Sequence, residues 1–212
     1  MKGYFYNCYV KRVLDFIGAI VLIIIFLPLS LLVALLIKIT SRGSVLYSGV
    51  AVGRGGKPFQ LYKFRTMTLD NDNSSHREAT KKLVTENSPC SIDDNGQPLY
   101  KIRKDDRITT VGHYLRRFSI DEFPQLLNVL KGEMSLVGPR PSVFYEYEHY
   151  KNHHQERLRV LPGITGLYQV TKRYRANFEE MVELDKQYIH KLSLIADLKI
   201  LAKTPIAMLK GL

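Results

Sequence analysis

The chain has 212 residues, 31 of them lysine or arginine and 20 aspartate or glutamate, so its formal net charge is +11. This length fits one compact domain with an appended segment, and the basic balance predicts an anionic partner: phosphate esters, nucleic acid or anionic lipid. The cysteines, Cys8 and Cys90, lie far apart without a metal-ligand spacing, which argues against a disulfide framework or zinc site and favours a reducing compartment.

The first predicted element is an uncharged apolar segment at residues 16–37, which as a helix would extend about 33 Å and fit a bilayer. No small-residue cleavage pattern follows it, so it is not read as a signal peptide. Positive residues flank both ends, including Lys11, Arg12 and Lys38, so the positive-inside rule selects no orientation. Pro28 predicts a kink or break. A transmembrane span and a kinked re-entrant hairpin are equally compatible with these residues.

Two runs of β type follow, at residues 45–52 and 58–64, around a glycine-rich turn, and they predict a hairpin. The turn is not a nucleotide-binding P-loop, because Lys57 is followed by Pro58 rather than by serine or threonine. Residues 70–100 are rich in Asn, Asp, Ser, Gly and Pro. We expect them to form an exposed, partly mobile insertion without a catalytic role.

An arginine-rich stretch then leads into an apolar helix that is predicted to end at Gly132. A polar helix is predicted over residues 177–190, followed by an apolar tail with interspersed lysines at residues 192–211. That tail has the composition of a helix on an anionic membrane surface, although a helix that covers the core is the commoner case. His149 and His153 share a spacing of four without an H-E-x-x-H motif, so no zinc site is predicted.

The stretch SIDEFPQ places two acids, Asp121 and Glu122, between a pair of arginines and the apolar helix. Ser119 and Glu122 match a helix capping box, a purely structural role that leaves Asp121 without a task. A helix N-terminus beside Arg116 and Arg117 suits a phosphate group, which the carboxylates would repel unless a divalent cation lay between them. Mg²⁺ binds one or two carboxylates together with phosphate oxygens. The pattern therefore also predicts phosphoryl transfer with Asp121 as nucleophile.

Several longer motifs occur in a fixed order: KRVLD ending at Asp15, GKPFQLYKFRTM ending at Met67, KDDRITTVGHYLRR ending at Arg117, SIDEFPQLLNVLKGEMSLVGPRP ending at Pro141, and PGITGLYQV ending at Val170. With this combination the chain resembles the monotopic phosphoglycosyl transferases, the bacterial sugar transferases that begin glycoconjugate assembly on a polyprenol phosphate. The resemblance covers nearly the whole chain. Because no large N-terminal sensor domain precedes the membrane segment, the expected form is the minimal catalytic one.

The resemblance implies a membrane-associated α/β fold, mainly helical. An N-terminal re-entrant, kinked membrane helix, residues 1–40, would pack on a compact cytosolic catalytic domain, residues 41–212, with a small β element and interfacial amphipathic helices. The implied location is the cytoplasmic face of the bacterial inner membrane. The implied reaction is Mg²⁺-dependent transfer of a sugar 1-phosphate from a UDP-sugar to undecaprenyl or another polyprenol phosphate, with release of UMP. Membrane lipid and downstream glycosyltransferases are expected partners, and nucleic acid is not.

The same resemblance assigns residues. Asp121 would attack the β-phosphate and form an aspartyl phospho-sugar, while Glu122 would help to hold Mg²⁺ or move a proton. The other implied substrate-binding residues are Lys63, Arg116, Arg117, Pro139, Arg140, Pro141 and Asp185. Structural alternatives remain: a surface lysine for Lys63, a plain rigid turn for residues 139–141, and a solvated helical acid for Asp185. Leu161 replaces a basic residue usual in the family, and Arg173 or Arg175 is the hypothetical substitute.

An alternative function from another class is a membrane-anchored binding protein whose basic surface holds anionic lipid or nucleic acid without catalysis. Nucleic-acid binding would predict stacking aromatics among the basic residues, and Tyr62, Phe64 and Tyr114 are too few and too scattered. The motif series favours the enzyme. The sequence does not name the sugar, the polyprenol length or the glycan, which is expected to be an exopolysaccharide, O-antigen, capsule or glycoprotein glycan.

Overall fold

The computed structural model describes residues 9–68, 74–93, 95–100 and 105–209. Within these residues the chain is mainly helical, with small sheets. The helices are α1 Lys11–Thr40, α2 Ser74–Glu86, α3 Thr110–Arg117, α4 Gln125–Lys131, α5 Phe144–Tyr147, α6 Leu167–Thr171, α7 Phe178–His190 and α8 Leu194–Leu209. The strands are β1 Leu46–Val52, β2 Pro58–Phe64, β3 Ser91–Ile92, β4 Pro98–Leu99, β5 Ser135–Val137, β6 Ser142–Val143 and β7 Gly163–Thr165.

The strands form short ladders that position the connecting turns. β1 pairs antiparallel with β2 and with β6, giving the order β2-β1-β6, while β3 pairs with β4. β5 and β7 run parallel. The predicted hairpin is confirmed, and its turn uses Gly55 and Gly56 at φ of 68° and 78°, a left-handed backbone that glycine adopts without strain.

Helix α1 is a continuous apolar helix of 30 residues that runs through Pro28 without a break. By length and composition it is sufficient to cross a membrane, and most of its apolar side chains are exposed. Its buried residues form one stripe at helical spacing: Lys11, Asp15, Ala19, Val33 and Ile37. The helix is therefore not broken at Pro28, whereas a kink there, re-entry into the membrane and the division of the chain at residue 40 stay predictions.

The buried stripe of α1 packs on the rest of the protein along the length of the helix. Near its start, Lys11 Nζ forms an ion pair with Asp197 on α8, 2.5 Å away. In its middle, the ring of Phe26 lies 4.5 Å from that of Phe123. Near its end, Ile37 is buried in a cluster with Leu115 of α3. The C-terminal half of the described chain, residues 105–209, which carries the candidate active site and is called the catalytic half below, is thus built directly against one face of the apolar helix.

The segment at residues 70–100 is more ordered than its composition suggests. Residues 74–86 form helix α2, and Val84 is only 1% exposed because it packs in a cluster with Tyr168 and Phe178. The expectation of an exposed insertion therefore fails for the face that carries Val84, since a few apolar side chains suffice to dock the helix, while its other side chains are mostly exposed. Residues 69–73 and 94 of this segment lie outside the described part of the chain.

The two remaining helix predictions agree with the structure. Asn177 caps α7 by accepting from the backbone N–H of Glu180, and α7 ends at His190. Helix α4 ends before Gly132, whose φ of 81° closes the helix. In α8, Asp197 and Ile200 are buried while Ile195, Leu198 and Leu209 are exposed beside lysines, so one face covers the core and the other is apolar and basic.

Candidate active site

The two acids Asp121 and Glu122 lie on a short 3-10 turn, Ile120–Glu122, that connects α3 to α4. Ser119, just before the turn, has a left-handed backbone at φ 54°. For a residue other than glycine this conformation costs about 1 kcal/mol or more, and such strain concentrates at functional sites. Asp121 is buried, with 7% of its surface exposed. The turn thus holds adjacent carboxylates in a fixed and largely enclosed position.

The capping box predicted for Ser119 and Glu122 is absent here. The Ser119 hydroxyl oxygen accepts a hydrogen bond from Nη2 of Arg173 at 2.8 Å. The Glu122 carboxylate accepts from Nζ of Lys63 at 2.9 Å instead of turning back to the cap. The left-handed backbone at Ser119 is incompatible with the extended backbone of an N-cap residue, which explains the difference.

Several cations surround Glu122. Burial raises its pKa, but Lys63, Arg140 and Arg173 together outweigh this effect and hold the pKa below its usual range. Glu122 is therefore ionised at neutral pH. The structure brings together both acids, Lys63 and Arg140, and it adds Arg173, which the sequence offered only as a substitute for a missing basic residue.

Strand β2 fixes Lys63. Asn128 of α4, which is fully buried, accepts from the backbone N–H of Tyr62 at 3.1 Å and donates to the carbonyl oxygen of Gln60 at 2.6 Å. Two residues after Lys63, the guanidinium of Arg65 donates to the backbone oxygen of Ser41 at the end of α1. Lys63 is thus held between α4 and the end of the apolar helix, and is not a free surface lysine.

The two arginines at the end of α3, Arg116 and Arg117, make different contacts. Arg116 Nε donates to the Thr66 hydroxyl at 3.0 Å, which places it beside the end of β2. Arg117 is exposed, and its guanidinium lies 5.6 Å from the ring centre of Phe118. Arg116 is therefore the better placed of the two for a substrate, and a role for either stays a prediction.

The Pro-Arg-Pro turn at residues 139–141 is pinned by the parallel ladder of β5 and β7. The Gly163 N–H donates to the Pro139 carbonyl oxygen at 2.8 Å. A Cβ on Gly163 would lie 2.0 Å from the backbone nitrogen of Gly138, so the close approach requires glycine. The ladder thus holds the turn at Gly138 and Pro139, and the Arg140 side chain that follows is exposed.

Asp185 is not the solvated acid that the structural alternative expected. Its side chain is 1% exposed and lies 2.7 Å from Nη2 of Arg157. Burial raises the pKa of Asp185 to about 6, although Arg157 opposes the shift. No sequence motif indicates that Arg157 is buried, so its role was not predicted.

Leu161 stands where the family usually has a basic residue, and Arg173 and Arg175 were the two hypothetical substitutes. Arg173 reaches the acidic turn, whereas Arg175 is exposed and lies 3.7 Å from Asp93.

Helix α2 also lies near three arginines, Arg107, Arg116 and Arg140, through His76. Residues 70–100 were expected to have no catalytic role, which stays a prediction. Nδ1 of His76 lies 3.1 Å from the hydroxyl of Tyr145. Burial lowers the pKa of His76, and Arg107, Arg116 and Arg140 lower it further. His76 is therefore a neutral imidazole beside a cationic surface, a position that only the tertiary structure reveals.

A second cluster, His153, His154 and Glu179, has ligand atoms within 4.8 Å of one another. His154 is fully buried. Its Nδ1 accepts from the backbone N–H of Lys151 at 3.0 Å, so the ring proton lies on Nε2 and points at Glu179, 3.0 Å away. This tautomer offers no lone pair to a metal and favours a structural role.

The acidic turn, by contrast, fits Mg²⁺. The adjacent carboxylates of Asp121 and Glu122 are hard oxygen donors, and Mg²⁺ binds one or two of these together with phosphate oxygens. The nearby cations Lys63, Arg140 and Arg173 outnumber the two acids. The arrangement is therefore suited to an anion with several oxygens, such as a diphosphate.

Comparison with known proteins identifies the family of the chain. The sequence profile of the bacterial sugar transferase family matches residues 6–211. The exopolysaccharide production protein ExoY of Rhizobium meliloti is 40% identical over 194 residues, which cover 92% of this chain and 83% of ExoY. A UDP-glucose:undecaprenyl-phosphate glucose-1-phosphate transferase of Caulobacter vibrioides is 42% identical, covering 92% and 67%. The galactosyl transferase CpsE of Streptococcus agalactiae is 39% identical over 100% of this chain, which spans only 45% of CpsE.

Proposed function

Because the chain belongs to the bacterial sugar transferase family, we propose that this phosphoglycosyl transferase moves a sugar 1-phosphate from a UDP-sugar to undecaprenyl or a related polyprenol phosphate. The names of its relatives support these substrates: one is an undecaprenyl-phosphate galactose phosphotransferase and another a UDP-glucose:undecaprenyl-phosphate glucose-1-phosphate transferase. ExoY, by its name, acts in exopolysaccharide production. The proposed role is the first membrane step of such a glycan, before other glycosyltransferases act.

The observation that carries the proposal is that Asp121 is buried and that three cations, Lys63, Arg140 and Arg173, act on the adjacent Glu122. In the first step an Asp121 oxygen attacks the β-phosphorus of the UDP-sugar, the bond from that phosphorus to the bridging oxygen breaks, and UMP leaves with the electron pair. Lys63, Arg140 and Arg173 hold the phosphate oxygens and stabilise the charge that develops on them. In the second step a phosphate oxygen of the polyprenol attacks the same phosphorus and releases the Asp121 carboxylate.

Asp121 and Glu122 would hold Mg²⁺, which when bound neutralises phosphate charge and withdraws electrons from phosphorus. Glu122 is ionised and fixed by Lys63, so it enters the reaction as an anion. The enclosure of Asp121 limits access of water to the aspartyl phospho-sugar. Each of these roles belongs to a side chain whose position the tight turn fixes.

We also propose that α1 enters and leaves the membrane on the cytoplasmic face. Its buried stripe packs on the catalytic half from Lys11 to Ile37, and its other faces are apolar and exposed, which supports a helix lying along the domain with lipid on its outer side. Single cysteines at residues 3 and 43, in a chain without its native cysteines, test this topology. Labelling from opposite sides of the membrane would contradict it.

The function is tested by incubating the purified chain with UDP-sugars and Mg²⁺ in the absence of acceptor. We expect stoichiometric UMP release and a phospho-sugar mass adduct on Asp121. Asp121→Asn should abolish both, and chelation should abolish UMP release until Mg²⁺ is restored. Glu183→Gln is the matched control, since this acid on α7 is 59% exposed. UMP release by Asp121→Asn at the normal rate would contradict the proposal.

A further inference from the structure

Arg157 lies in the 3-10 segment Asn152–Arg159, and its side chain is only 1% exposed. Removing a guanidinium from water is expensive, so a buried arginine requires close partners. Nη1 donates to the Tyr150 hydroxyl at 2.7 Å, and Nη2 pairs with the Asp185 carboxylate at 2.7 Å. Nη2 also donates to the backbone carbonyl oxygen of Arg140 at 3.1 Å. One side chain therefore joins α7 to the Pro-Arg-Pro turn.

The bond to the Arg140 carbonyl acts where the turn is otherwise free. Pro139 and Pro141 have fixed φ angles, and a residue before proline is itself restricted. The orientation of the peptide group after Arg140 is the main remaining freedom, and the hydrogen bond from Arg157 sets it. The Arg140 side chain acts on Glu122 while its backbone is tethered to Arg157, so the tether sets the backbone position from which the guanidinium reaches Glu122.

We infer that Arg157 and Asp185 are a buried positioning pair that orients Arg140 for binding of the nucleoside diphosphate. The inference rests on the proposed function and revises the sequence prediction for Asp185, which acts on the substrate through Arg157 and Arg140. Lysine cannot replace Arg157, because an ammonium lacks the planar fork that reaches carboxylate, hydroxyl and carbonyl together. Neither member of the pair touches the reacting atoms.

The pair also predicts a pH dependence. Burial raises the pKa of Asp185 to about 6; Arg157 and Arg140 favour its anion, and Glu146 opposes it. Tyr168 and Tyr150 also lie close enough to the pair to interact with its charges. As the pH falls through about 6, Asp185 takes up a proton and Arg157 loses its strongest anionic partner. Glu146, 3.5 Å from Arg157, retains part of the attraction, so Arg140 loosens without being released.

The experiment measures UMP release by the full-length chain without acceptor, because a polyprenol phosphate would itself titrate near pH 6. We expect Arg157→Lys to raise about tenfold the UDP-sugar concentration that gives half the maximal rate of this single turnover, while the rate at saturation changes less than about threefold, since binding is affected more than chemistry. In the wild type, this half-saturating UDP-sugar concentration should rise about two- to fourfold between pH 7 and 5.5, the most that one carboxyl with a pKa of about 6 can produce, and Asp185→Asn should lose this dependence. Arg159→Lys, at an exposed position of the same segment, is the control and should match the wild type.

Binding of UDP, measured by calorimetry, gives a readout that does not need turnover. A wild type that releases no UMP would contradict the proposed function, whereas unchanged UDP affinity in folded Arg157→Lys would contradict the positioning pair. Should Arg157→Lys fail to fold, the double variant Arg157→Leu/Asp185→Leu removes both charges together and leaves none buried alone. That variant should bind UDP as weakly as Arg157→Lys was expected to, and wild-type affinity in it would overturn the inference.

Discussion

Asn128 offers the sharpest test of how the fold holds the active site. It is fully buried on α4, and both functions of its amide are used. Its oxygen accepts from the Tyr62 N–H at 3.1 Å, while its nitrogen donates to the Gln60 carbonyl at 2.6 Å and to the Glu133 carboxylate at 2.7 Å. This side chain therefore caps the edge of β2, the strand that carries Lys63.

Asn128→Ala removes all three hydrogen bonds, each of which stabilises a protein by about 1 kcal/mol net, so the free energy of unfolding should fall by about 3 kcal/mol. For a chain of this size that corresponds to a Tm lower by about 6–12 °C. Asn128→Asp should be worse at neutral pH, because a carboxylate would then face the Gln60 carbonyl and the Glu133 carboxylate. Those acceptors raise the pKa of the introduced acid in the folded state. The loss of unfolding free energy in Asn128→Asp, relative to the wild type, should therefore become smaller as the pH falls towards 4.

The assay is thermal unfolding in detergent micelles followed by circular dichroism, since the chain has no tryptophan. Asn152→Ala, at an exposed position, is the control and should change the unfolding free energy by less than about 0.5 kcal/mol. A loss below about 1 kcal/mol in Asn128→Ala would refute the reasoning. A stability loss in Asn128→Asp that does not change with pH would also refute the reasoning.

Three further changes test other parts of the structure. Lys63→Met should raise the pKa of Glu122 and lower UMP release at least about 100-fold, with Tm nearly unchanged because the pair is partly exposed; normal release would contradict this. Gly112→Ala would place a Cβ 2.2 Å from the Thr66 carbonyl oxygen, so the folded protein should lose about 3 kcal/mol or more, and wild-type Tm would be the contrary result. Lys11→Met removes the cation beside the buried Asp197 carboxylate, which keeps its hydrogen bond from the Tyr188 hydroxyl, and should cost about 3 kcal/mol in denaturant titrations, with a negligible shift as the opposing outcome.

The local predictions succeeded where one stretch of sequence is sufficient. The hairpin of β1 and β2 follows from two β-type runs around glycines, and α7 follows from a capping asparagine and helical spacing. The apolar composition of α1 likewise identifies a membrane-sized helix. The family resemblance, carried by the ordered motifs, is confirmed over residues 6–211.

The local predictions failed where distant groups compete for the same atoms. Ser119 and Glu122 have the sequence of a capping box, but Arg173 and Lys63, far away in the chain, take their hydrogen bonds. The polar composition around α2 likewise gave no indication that Val84 is buried against the rest of the protein. In each case the missing information is a long-range contact, which propensity does not contain.

The sequence by itself determined the long apolar helix, the hairpin, the position of the acidic pair and the family. Only the tertiary structure decided which cations face Glu122, that Asp185 is buried against Arg157, and that α1 packs along the catalytic half over its whole length. The reason is physical: helix periodicity and turn residues act over a few positions, whereas a charge is tuned by its neighbours in space. Those neighbours come from segments that folding alone brings together.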